Sequence, residues 1–90
     1  MTPEQQAQRG ERAREILEDP LFRDAFGLVE KELFALWRSS KIGDVAGRER
    51  VFNQLACLEL VRAKLTQAVS DGRIARETLR DRARRLAAHL

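Results

Sequence analysis

The chain has one cysteine, two prolines, five glycines and no tyrosine in 90 residues. A single Cys excludes an internal disulfide framework, and one Cys with one His cannot assemble a Cys/His zinc centre. So little proline and glycine excludes a loop-rich or low-complexity chain. No apolar run approaches the roughly 20 residues of a membrane helix, and the opening MTPEQQAQRGERARE has no apolar core of a signal peptide. These absences predict a soluble, cytosolic protein of one small domain, with no membrane contact. No Gly-rich phosphate loop and no metal-ligand spacing is present, so no cofactor or metal is expected.

What the chain does have is charge, in an uneven distribution. Seventeen Lys and Arg stand against fourteen Asp and Glu, a net +3. Residues 72–90 hold six Arg and two acids, so a net +4 sits in that segment while the rest is close to neutral.

Helix signals recur along the chain, and no stretch alternates with a period of two, which predicts an all-α protein without a sheet. Thr2-Pro3-Glu4-Gln5 predicts a helix over 3–18, with Thr2 as cap, Pro3 in the first position and Gln5 reaching back. Asp19-Pro20 repeats the signal for a helix over 20–38. In it Phe22, Phe26, Val29, Leu33 and Leu36 are spaced 4, 3, 4, 3, the seam of a helix laid along another. Ser39 to Asp44 reads as a loop, with Asp44 capping a helix over 45–70 whose seam is Val51, Leu55, Leu58, Val61, Leu65 and Ala68. Asp71-Gly72 predicts a left-handed stop, and a last helix over 73–89. The expected architecture is an elongated antiparallel hairpin of the second and third helices, flanked by the first and last. Phe22, Phe26, Phe34, Trp37 and Phe52 are more large rings than one two-helix seam absorbs. They are the predicted oligomer or partner interface, and a homodimer with a four-helix core is the expected assembly.

The inventory for catalysis is nearly empty. His89 lies next to the last residue, without a rigid shell. Cys57, inside the third helix between Ala56 and Leu58, is expected to be a buried, inert thiol. Glu30 and Glu32 are two apart and cannot share a helix face. An enzyme is not expected.

The basic last helix places Arg73, Arg76, Arg80 and Arg84 close to one face, widened by Arg82 and Arg85. As a solvated face it would carry the pairs Arg73 to Glu77, Glu77 to Arg80 and Asp81 to Arg85. As a functional one, Arg73, Arg76, Arg80, Arg84 and Arg85 would meet an acidic partner or nucleic acid phosphates. Lys64, Ala68, Gly72 and Thr78 have a faint helix-turn-helix spacing. Position 78 is polar and the preceding helix is too long for that motif, so DNA readout is not expected there.

The segments RAREILEDPLFRDAFGLVEKELFALWRSS, GRER and LVRAKLTQAVSDGRI resemble a family of short, all-helical, mostly uncharacterised proteins of tailed phages and prophages, encoded near packaging and head genes. Asp19-Pro20-Leu21, Leu36-Trp37, Gly47-Arg48-Glu49-Arg50 and Asp71-Gly72 carry the likeness, over roughly residues 9 to 80. These are caps, core residues and loop ends, so the resemblance implies a shared fold more than a shared activity. It implies a non-enzymatic virion assembly or DNA-packaging accessory in the host bacterial cytoplasm or on the virion, contacting a phage or host protein complex. The alternative it leaves open is a counter-defence inhibitor of the anti-CRISPR type, bound to a host RNA-guided nuclease complex.

Overall fold

A computed structural model describes residues 1–90, and it is all-helical. Three helices account for nearly the whole chain: α1 (Pro3–Glu18), α2 (Pro20–Ser39) and α3 (Val45–Ala88). Each begins where its cap stands. The Gln5 amide donates to Thr2 Oγ1 at 3.2 Å while the Thr2 amide donates to Gln5 Oε1 at 2.9 Å, a reciprocal capping box. Asp19 Oδ1 accepts from the Phe22 amide at 3.0 Å, with Pro20 in the first helical position. Asp44 Oδ1 accepts from the Gly47 amide at 3.1 Å and opens α3. At the end of α2 the Ser40 amide donates to the Trp37 carbonyl at 3.2 Å, and the Ser39 hydroxyl donates to the Leu36 carbonyl at 3.2 Å.

The expected break at Asp71-Gly72 is absent. The helices expected over 45–70 and 73–89 are one continuous helix, so no separate C-terminal helix flanks the others. A glycine ends a helix by turning left-handed, and no glycine here has a positive φ. Nor is there a turn between Lys64 and Thr78, which removes the helix-turn-helix reading.

The chain divides into two compact units, Met1–Leu17 with Lys64–Leu90, and Glu18–Ala63. In the first, α1 lies on the second half of α3 through small residues: Gly10, Ala13, Ala68, Gly72 and Ala75 are buried. Gly72 serves this approach instead of a stop. A Cβ at Gly10 would stand 2.7 Å from both the Ala68 carbonyl oxygen and the Gly72 Cα, and one at Gly72 would stand 2.7 Å from the Gly10 Cα. Two bare backbones therefore touch at this crossing, and helix separation follows from the side chains at the contact. Arg76 adds a polar tie across it, 3.5 Å from Glu11 Oε2.

In the second unit α2 meets the first part of α3. Val51 is buried, and Phe22, Phe26, Leu33, Leu55 and Leu58 are half-buried. This stripe departs from the expected seam at particular positions. Val29 and Leu36 are exposed, and Val61 is exposed while Arg62 takes its place. Arg62 donates to Glu30 Oε1 at 2.5 Å, and its guanidinium lies 5.0 Å from the centre of the Phe26 ring. The long side chain covers apolar surface with its stem and keeps its charge paired. The contact stripe thus advances by four residues after Leu58 where a step of three would have selected Val61.

Candidate interaction surfaces

No large side chain is fully buried, and the buried apolar residues are Ala13, Val51, Ala68 and Ala75. With three alanines and one valine as the buried apolar residues, the larger aliphatic and aromatic side chains are half-buried or exposed. In the unit Glu18–Ala63 some of them gather in two places beside the α2/α3 contact.

On one side stand Phe34, Trp37 and Phe52, exposed by 50, 43 and 67%. With Arg38 and Leu55 they line an open cavity of about 410 Å³. Arg48 lies over the Trp37 ring, 4.7 Å from its centre, and fixes the indole from the α3 side. The five rings expected at one interface are therefore divided. Phe34, Trp37 and Phe52 come together, whereas Phe22 and Phe26 turn inward against each other, their ring centres 4.8 Å apart.

On the other side Val29 and Leu33 of α2 face Cys57, Leu58 and Val61 of α3 across a groove of about 530 Å³. Arg50, Asn53 and Gln54 complete its lining. Cys57 is exposed, not buried as expected from its place in the helix. It stands one position before Leu58, so it clears the contact stripe and opens onto the groove. Sequence periodicity assigns Val29 and Val61 to the inter-helix seam and thereby conceals the groove.

The third candidate is the Arg-rich end of α3, where residues 80–90 are all exposed. Arg80 pairs with Glu77 at 3.5 Å and Arg84 with Asp81 at 3.7 Å. The expected partner of Asp81 was Arg85; the i, i+3 spacing is the one used. Arg76 reaches Glu11 of α1, so it belongs to the helix crossing as well as to the basic face. Arg73, Arg82 and Arg85 form no ion pair. Glu11 itself is held below the usual carboxylate range, chiefly by the hydrogen bond from Arg14 and also by the charges of Arg14 and Arg76, against an opposing desolvation cost.

A smaller polar cleft of about 220 Å³ lies in the first unit, with Gln6, Arg9, Lys64 and Asp71 in its wall. No group of three His, Cys, Asp or Glu side chains is placed to hold a metal ion. No helix is long and apolar enough to cross a membrane. Comparison with protein-family models, with curated proteins and with solved structures finds no match to this chain.

Proposed function

We propose that this chain is a non-enzymatic helical protein that works by protein–protein contact, as a homodimer built on the hairpin of α2 and the first part of α3. The observation that carries this reading is the set of large apolar side chains left exposed on both sides of that contact, while no large side chain is fully buried. Apolar area in water costs roughly 25 cal/mol per Å², and contiguous apolar patches of this kind mark interaction sites. The resemblance to phage and prophage proteins supplies a setting, virion assembly or DNA packaging, in which a dimer would present its aromatic side to a phage or host complex. The Arg-rich end of α3 would then meet acidic protein or packaged nucleic acid.

Light scattering or sedimentation equilibrium tests the reading. The expected mass is twice 10.3 kDa at micromolar concentration. A helical 10.3 kDa monomer that fails to bind an apolar-surface dye such as ANS would overturn it.

The basic end is tested by charge removal in place of truncation, because Ala75 is buried and a cut at Gly72 would also undermine α1. The variant Arg80→Gln, Arg82→Gln, Arg84→Gln, Arg85→Gln keeps good helix formers at exposed positions. At low salt the intact chain is expected to bind duplex DNA with a steep salt dependence, and the variant to lose at least about tenfold in affinity. Equal binding by both, or none by either, would remove the phosphate-contact role.

A further inference from the structure

We infer that the aromatic cavity takes a large apolar side chain carried on an acidic segment of a partner protein, with Arg38 and Arg48 binding the carboxylates beside it. This rests on the protein–protein reading above and adds the chemistry of the partner.

The lining sets the anchor. Phe34, Trp37, Phe52 and Leu55 wall the cavity of about 410 Å³, Arg38 is its single polar side chain, and no carboxylate, amide or hydroxyl side chain lines it. A polar group seated there would exchange water for carbon without a new hydrogen bond, which is unfavourable. An aliphatic or aromatic side chain gives up nothing of the kind and gains by leaving water. A nucleobase, with ring nitrogens and carbonyl oxygens along its edge, is the poorer occupant.

Charge sets what flanks the anchor. Two guanidinium groups border the cavity, Arg38 in its wall and Arg48 at 4.7 Å from the centre of the Trp37 ring, and neither forms an ion pair. The chain itself shows how such a group is completed. Arg62 lies 5.0 Å from the centre of the Phe26 ring, and Glu30 at 2.5 Å and Glu59 at 3.5 Å meet its guanidinium. At Arg48 the ring is present and no carboxylate of the chain reaches the guanidinium. A carboxylate from outside would complete it in the same way, and the planar donor fork of Arg suits that partner.

The surrounding charge points the same way. Residues 37–52 hold Arg38, Lys41, Arg48 and Arg50 against Asp44 and Glu49, and Asp44 is engaged as the cap of α3 through the Gly47 amide. The rest of the unit Glu18–Ala63 holds three basic side chains and six acidic ones. The basic excess thus sits at the aromatic end, where it favours an acidic partner. It also disfavours two copies face to face, which would gather four guanidinium groups on one apolar patch.

Peptide selection on the full 90-residue chain tests this, with Trp37, the only tryptophan, as the reporter. Random dodecapeptides lacking tryptophan are displayed, and the enriched ones are synthesised and titrated. They are expected to combine Phe, Leu, Ile or Met with several Asp or Glu, and to move Trp37 emission to shorter wavelength. Their affinity is expected to fall at least about tenfold with Phe52→Ala, with Arg48→Gln and with Arg38→Glu, and less with Arg38→Lys. Positions 38 and 52 are exposed, so circular dichroism should show helicity retained in those variants. Enriched peptides that are neutral or basic, or acidic ones whose binding ignores Phe52→Ala, would overturn the inference. Acidic peptides lost with the four-Arg variant of the α3 end and indifferent to Arg38→Glu would move the contact to that end. Displacement of the peptide by a thymidylate dodecamer or by vesicles of anionic phospholipid would replace the protein partner with nucleic acid or membrane. A dimeric chain that selects no acidic peptide overturns this inference and leaves the protein-contact reading standing, whereas a monomer that binds no apolar dye overturns the reading itself.

Discussion

Gly10→Ala is expected to lower the melting temperature, and Gly27→Ala, the same substitution in a neighbouring helix, to raise it. Both exchanges gain about 0.8–1 kcal/mol of intrinsic helix propensity. At Gly27 nothing lies within 4 Å of the added Cβ, so the gain is kept. At Gly10 the Cβ meets the Ala68 carbonyl oxygen and the Gly72 Cα at 2.7 Å. Both obstacles are backbone atoms, which no rotamer change can move aside. Overpacking of this kind costs about 1–3 kcal/mol, enough to cancel the propensity gain and reverse its sign. For a domain of this size 1 kcal/mol corresponds to about 4–8 °C in Tm, measured at one fixed protein concentration.

A larger side chain makes the effect larger and local. Gly10→Leu or Gly72→Leu is expected to lift α1 from α3, at a cost of about 3 kcal/mol. A detached segment the length of α1 is marginal as a helix in water, so its amides should lose hydrogen-exchange protection while those of 45–63 keep theirs. Protection of α1 unchanged by Gly72→Leu would refute the close crossing.

The second large effect concerns adjacent residues with opposite fates. Val51→Asp is expected to destabilise the chain by about 3–5 kcal/mol, since it puts a carboxylate at a position only 8% exposed with an apolar environment around it. Phe52→Asp, one residue on, removes a ring that is 67% exposed and should leave unfolding within about 0.5 kcal/mol of the unaltered chain. Urea titration followed by circular dichroism compares the two midpoints. Similar midpoints would mean that Val51 does not anchor α2 against α3.

Much of the fold was legible in local chemistry. Thr2 with Gln5, Asp19 before Pro20, and Asp44 before α3 are signals spanning three or four residues, and each makes its hydrogen bond as expected. The candidate site was legible only in part. Phe34, Trp37 and Phe52 were marked out by their size, and the structure brings them together. Phe22 and Phe26, chosen on the same ground, pack against each other instead. Cys57 was misplaced because a helical position does not state which face the neighbouring helix covers.

Asp71-Gly72 shows where local reasoning stops. The dipeptide is a sound stop signal, yet the helix runs through it to Ala88. Small residues at 68, 72 and 75, spaced 4 and 3, were the available sign that Gly72 belongs to a packing stripe. The same applies to Arg62, which no hydrophobic pattern would place in a seam. Its stem packs there because Glu30 stands 2.5 Å from its guanidinium on the facing helix.

The sequence by itself therefore determined that this protein is helical, where α1 and α2 begin and end, where α3 begins, and that its basic charge gathers at one end, because caps, propensities and charge counts act within a turn of helix. Only the tertiary structure decided that α3 is continuous, that Gly10 and Gly72 touch, that Arg62 displaces Val61, and that apolar surface is divided between an aromatic side and a groove onto which Cys57 opens. Those outcomes depend on which residues of another helix arrive within a few ångströms, a distance that no single segment specifies.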